Sequence, residues 1–230
     1  MQAQEIQYKL KLLIEEASTV DNNLSKRLGE INRWVKDIKA GKLIAKPFLK
    51  LFLEQMIRDA DAFLILKSLS LEEQQLALNS LTPTLKYWYG YLFPKWLSES
   101  DPKFYIWRQK IKAGEFSQED GKLIESITKS ITNLGGTVVQ RYIIDLSMAT
   151  DIIVSSTQEQ PLCIQLTSLN QQFSQDKSND WENTLRLWAI DRGLFLSYNP
   201  ISNNLVSQIV NISLAHSDNL LTDNYLKLNM

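Results

Sequence analysis

The chain reads as a mixed α/β protein: a helical N-terminal region followed by an α-β-β-β-α-β-α domain. Three observations carry that reading. Apolar residues in the first half recur at three- and four-residue spacing, as on one face of a helix. The second half shifts to Val/Ile/Thr runs set off by a Gly pair and an Asn-Pro step. Charge divides the same way: residues 1–110 hold 17 Lys/Arg against 13 Asp/Glu, and residues 111–230 hold 8 against 13. At 230 residues and 44% hydrophobic the chain is large enough to bury a core. These shifts divide it into a mainly helical region 1–110, an α/β domain 111–215 and a loose polar tail 216–230.

The helices of the first region follow from periodicity and end signals. Ile6, Leu10, Leu13 and Ile14 form one stripe. Asp21-Asn22-Asn23 holds an N-cap for a second helix, with Leu24, Leu28, Ile31, Trp34, Val35 and Ile38 inward and Gly41 at its end. Pro47 suits the first turn of a third helix carrying Phe48, Leu49, Phe52, Met56, Ala60, Phe63 and Leu64. Ser70 and Glu73 form a capping box for a helix over 71–80. Thr82-Pro83-Thr84 breaks it, an aromatic stretch runs from Tyr87 to Trp96, and Asp101-Pro102 marks a turn.

In the second region, Ser117–Asp120 starts a helix with Leu123, Ile124, Ile127 and Ile131 inward, closed by Gly135-Gly136. β-branched content predicts strands over 137–144, 150–155 and 162–167. A polar loop reaches Lys177. Trp181, Leu185, Trp188 and Ala189 mark a helix ended by Gly193. A fourth strand follows over 194–198, and Leu205, Ile209 and Ile212 mark a last helix.

Composition excludes several classes. Cys163 is the only cysteine and His216 the only histidine, so a disulfide within the chain and a multi-histidine metal centre are ruled out. No apolar run is long enough to span a membrane, and the N-terminus has early acids and no signal-peptide pattern, so a cytoplasmic protein is expected. The P-loop, the dinucleotide glycine fingerprint, the EF-hand loop, HExxH and GxSxG are absent.

The element order, with Asp151 opening the second strand and Ile164-Gln165-Leu166-Thr167 on the third, resembles the PD-(D/E)XK nuclease superfamily, the restriction-endonuclease-like fold. The resemblance spans about residues 115–212. It implies a shared α-β-β-β-α-β core. It also implies an Asp at the start of the second strand, and a Glu-x-Lys or Asp-x-Lys on the third. Asp151 matches the first. Gln165 stands at the acid and Thr167 at the lysine, so the motif is degenerate. Two carboxylates on adjacent strands would share a hard cation, Mg²⁺ in an active member, through oxygen. The lysine would neutralise charge developing on a phosphate. In an active member, Asp151 and Gln165 would be the metal ligands, Glu125 (or Glu119) would assist from the first helix, and Lys177 would replace the missing lysine. The leading expectation is instead a non-catalytic relative acting by interaction in a nucleic-acid or mobile-element context. A scaffold for another protein, without a nucleic-acid role, is the third reading. The acidic second half favours it, because phosphate backbones repel such a surface.

Further candidate surface lies in the first region. Lys36, Lys39, Lys42, Lys46 and Lys50 recur near one helical face and would contact DNA or RNA phosphates, against a plain solvated face. Trp88 and Trp96, between Lys86 and Lys95, would stack bases, against a packed core.

Overall fold

A computed structural model describes residues 1–36, 38, 46–113, 121–168, 171–202 and 204–230, and omits the side chains of 3 and 171–175. Helices α1 (Ala3–Val20), α2 (Asn22–Lys36), α3 (Pro47–Ser68), α4 (Leu71–Asn79), α5 (Pro83–Tyr87), α6 (Phe93–Ser98) and α7 (Phe104–Ala113) make up the N-terminal half, with a π-helical turn over Trp88–Leu92. Helices and strands then interleave: α8 (Gly121–Asn133), β1 (Thr137–Val139), α9 (Tyr142–Met148), β2 (Ile152–Ser155), β3 (Leu162–Thr167), α10 (Gln171–Leu187), β4 (Arg192–Ser197), α11 (Leu205–Asn219) and β5 (Asn224–Asn229). The protein is mixed α/β. Among the described residues no helix is long and apolar enough to cross a membrane. The chain separates into two compact units, Met1–Ser80 with Tyr89–Ser117 and Leu81–Trp88 with Gln118–Met230.

The helical unit packs around aromatic rings. Phe52 meets Trp107 at 5.5 Å and Trp34 at 6.4 Å, and Phe93 stacks on Trp96 at 6.1 Å. Asp101 matches two of its buried indoles. The Asp101 carboxylate accepts both the Trp96 and the Trp107 indole N–H, at 3.2 and 3.1 Å, and also the Lys103 backbone N–H. Asp101-Pro102 is thus a turn, and its side chain also anchors two core indoles. The Ser70–Glu73 capping box forms as the spacing predicts. Gly41 lies outside the described residues, as does the Ser117–Asp120 helix start.

The second unit is built on a five-stranded sheet in the order β1-β2-β3-β4-β5. The pairs β1–β2 and β2–β3 are antiparallel, and β3–β4 and β4–β5 are parallel. On one face, Ile152, Val154, Ile164, Leu166, Leu194 and Leu196 meet Ile124, Ile127 and Ile131 of α8 and Ile209 and Val210 of α11. On the other, Phe195 meets Trp181 of α10 at 5.5 Å.

The structure corrects four expectations. The strand over 137–144 stops at Val139, and Tyr142–Met148 is helical. Its partner β2 begins only at Ile152, which leaves the rest of the β-branched run no ladder to join. A helix instead buries Ile143, Ile144, Leu146 and Met148. The polar stretch before Lys177 is not a loop but the start of α10, which begins at Gln171 and buries Ser178 before Trp181. Gly193 does not end that helix. It lies within β4, where a Cβ would sit 2.3 Å from Leu185 Cδ1 and 2.8 Å from Trp181 Cζ2. The tail 216–230 is not loose: α11 continues to Asn219, and β5 adds a strand beside β4.

Arg192, unmarked in the sequence reading, ties this unit together. Its buried guanidinium donates to the carbonyls of Pro161, His216, Ser217 and Leu220, at 2.7–3.3 Å. It thereby joins β4 to the end of α11 and to the turn before β3. Arg192→Met strands four carbonyls and should lower stability by at least ~2 kcal/mol. Gly193→Ala drives a methyl into two packed side chains and should cost about 1–3 kcal/mol. Urea unfolding followed by tryptophan fluorescence measures both, and wild-type midpoints for either variant would contradict the packing described.

Candidate functional site

The site grows out of strand register. Ile152 pairs with Ile164 across β2 and β3, which sets Asp151 opposite Gln165. Side chains alternate along a strand. Leu162, Ile164 and Leu166 enter the core beneath α8 and α11, so Cys163, Gln165 and Thr167 share the face covered by α10.

The Asp151 carboxylate spans the strand pair. Its Oδ2 accepts the Gln165 side-chain Nε2–H at 2.7 Å and the Leu166 backbone N–H at 2.6 Å. The Asp151 backbone N–H donates to the Ile164 carbonyl at 2.9 Å. The Gln165 amide also donates to the Leu166 carbonyl at 3.2 Å. A carboxylate only accepts, so the amide turns its nitrogen toward it. Two residues further along β3, Lys177 of α10 donates from Nζ to Thr167 Oγ1 at 3.0 Å. A helix-borne ammonium therefore reaches the strand position occupied by Thr167.

The structure brings together Asp151, Gln165, Thr167 and Lys177. It does not bring Glu125 to them: that side chain is exposed on α8, the helix covering the opposite face of the sheet. Glu119 lies outside the described residues. Mg²⁺ calls for several oxygen donors with carboxylates among them. Here one carboxylate oxygen already accepts two N–H groups, and the neighbouring amide presents nitrogen. Among the described residues no group of three or more His, Cys, Asp and Glu side chains could hold a metal. This arrangement does not fit a shared divalent cation. What it can do is lock two strands and hold an ammonium at their ends.

The two candidate tryptophans lie inside the protein. Trp96 is fully buried, stacked on Phe93 and covered by the Arg27 guanidinium at 4.8 Å. Trp88 is fully buried as well. Neither has a face to offer a base, because both fill space inside the protein. Lys36 is exposed at the end of α2, Lys46 donates from Nζ to the Lys112 carbonyl, and Lys50 lies 3.9 Å from Glu54. These three form no shared helical face, since α2 ends at Lys36 and α3 starts only at Pro47. Lys39 and Lys42 lie outside the described residues. The sequence reading missed Arg27, Arg33, Arg108 and Lys112, which line one cleft of this unit. No periodic run joins them, so spacing could not find them.

No protein-family model matches the chain, and neither the curated proteins nor the solved structures contain a significant match.

Cys163, on the same face as Gln165, is a packing residue. Burial pushes its thiol from the ordinary 9.0 up to about 12, with Thr150 opposing through a hydrogen bond. The thiolate is the nucleophile, so the folded protein carries almost none. As pH rises through 9.0 the unfolded chain ionises this group while the folded chain does not, so stability falls above that value. Cys163→Ala should remove that alkaline component of the loss. A disulfide reagent should label Cys163 only after denaturation, and stoichiometric labelling of the native protein would refute this burial.

Proposed function

We propose that the C-terminal unit is a nuclease-like domain with a degenerate site, acting by interaction in a nucleic-acid or mobile-element context without cleaving. One observation carries the reading. Asp151 meets Gln165 in a direct hydrogen bond, at the strand positions where the resembled family places two metal-binding carboxylates. An amide in place of the second acid turns a charge-repelling pair, which needs a cation, into a pair that satisfies itself. The sequence of helix, three strands with two antiparallel pairings, helix and parallel strand supports the same class. Helix α9, inserted between β1 and β2, departs from it.

A second reading, an active Mg²⁺-dependent endonuclease, has its own support in the Lys177–Thr167 contact, because the ammonium stands at the position the family gives to lysine.

One assay separates the two. Supercoiled plasmid and single-stranded DNA, incubated with Mg²⁺ or Mn²⁺, should remain intact with wild type and with Asp151→Ala. Cleavage by wild type that Asp151→Ala abolishes would establish the endonuclease reading instead. Gln165→Glu offers a complementary test. Two facing carboxylates should lower the melting temperature, and Mg²⁺ should restore it in the variant but not shift wild type. A Mg²⁺-induced rise in wild type of the same size would mean that the native pair already holds the cation.

A further inference from the structure

We propose that the helical unit carries a phosphate-binding cleft, formed between α2, the Ser100–Asp101 turn and α7, that takes a phosphate of a nucleotide or of a nucleic-acid strand. The cleft encloses about 560 Å³, within the size range of small-ligand sites. Arg27 and Arg33 of α2 and Arg108 and Lys112 of α7 line it, with Trp34 and Phe104 between them.

Charge is unbalanced there. The acids in the wall are Glu30 and Asp101, so four cations face two carboxylates. Glu30 is held by Arg27 Nη1 at 3.0 Å, and Asp101 by two indoles and a backbone N–H. Neither acid pairs with Arg33, Arg108 or Lys112, whose charged groups have no ion-pair partner among the described residues. The excess of two positive charges matches the charge of a phosphate monoester.

The wall also holds unused donors. Arg27 is only 8% exposed and Trp34 only 3%, yet Arg27 Nε and Trp34 Nε1 meet no acceptor, and Arg108 Nε is likewise buried and unmatched. These three nitrogens are closed off from solvent and belong to the wall, whereas the side chains of Arg33, Arg108 and Lys112 are wholly or partly exposed and can reach a ligand. Aromatic faces hold the guanidinium groups in place: Arg27 lies 5.5 Å from the Phe104 ring, and Arg108 lies 4.9 Å from Tyr105 and 6.0 Å from Phe104. A rigid guanidinium fork suits a tetrahedral oxyanion better than a lone ammonium does. Arg27 spends its terminal nitrogens on Glu30 and on the carbonyls of Trp96 and Glu99, so it shapes the wall. Arg33, Arg108 and Lys112 are the groups left to meet the ligand.

The proposal does not rest on the Asp151 site, and either can fail without the other. Fluorescence anisotropy of a labelled oligothymidylate should show binding by the full chain, weakened about tenfold or more by Arg33→Glu with Lys112→Glu, with a shallower salt dependence. Arg33 is exposed and Lys112 partly so, and a circular dichroism spectrum matching wild type confirms that the double variant folds. Displacement of the probe by a nucleoside monophosphate or by inorganic phosphate would assign the cleft to a terminal phosphate. Displacement by unlabelled oligonucleotide alone would assign it to a strand backbone. Lys122→Glu, at an exposed position of α8, serves as the charge control and should bind as wild type. No binding of the oligonucleotide, the monophosphate or phosphate would overturn the proposal, as would equal weakening by Lys122→Glu.

Discussion

The central strands β2, β3 and β4 are covered on both faces, by α8 and α11 on one and α10 on the other, and water reaches few of their polar groups. An unpaired donor or acceptor in such a layer costs roughly 1–3 kcal/mol. That constraint explains the chemistry of the sheet better than any single contact. Arg192 survives inside it because four carbonyls surround its guanidinium. Thr150 turns its hydroxyl to the Met148 carbonyl. Asp151 and Gln165 answer one another, and Thr167 is answered by a lysine from the covering helix. Asp151, Gln165, Thr167 and Lys177 together satisfy the polar groups at the end of a buried strand pair.

The legibility of the fold varied with how local its causes were. Helices α1–α4 announce themselves through stripes and caps, because their apolar spacing and end residues lie within a few positions of one another. Strand β3 was equally clear: six residues bounded by Pro161 and a polar stretch. Tyr142–Met148 was not, since the decisive fact is the late start of β2, ten positions further along. Gly193 read as a helix stop, though its role depends on Trp181 and Leu185 arriving from α10. In the site, alternation along β3 placed Gln165 correctly on the face opposite Ile164 and Leu166, and Lys177 was within reach of the sequence argument. The mutual bond of Asp151 and Gln165 needed the register. The arginines of the α2–α7 cleft belong to separate helices, and only tertiary packing assembles them.

Electrostatics separates the two units by role. The second half of the chain carries the acidic excess, and its ion pairs stay close to home, such as Glu182 with Arg186 and with Lys227. The Arg186 hydrogen bond, then that of Lys227, holds the Glu182 carboxyl below its ordinary value. These pairs fasten β5 to α10 and leave little positive charge to spare. The helical unit is the reverse: its interior rings are braced by Arg27, and its basic residues outnumber the acids in the cleft they line. An anionic partner would find its attraction in the helices.

Strand connectivity has a kinetic consequence. β1, β2 and β3 pair with near neighbours in the chain, so their ladders close short loops. β4 and β5 pair in parallel, and each waits for a whole helix, α10 or α11, to cross the sheet first. Loop closure of that kind is slow, because entropy is lost before any long-range contact repays it. The antiparallel meander is thus the part able to organise early, and the Arg192 clamp, which needs β4 and the end of α11 together, can only form late. During that interval the β3 edge stands open, and a lone strand edge is the feature of a folding chain most prone to pair with another molecule.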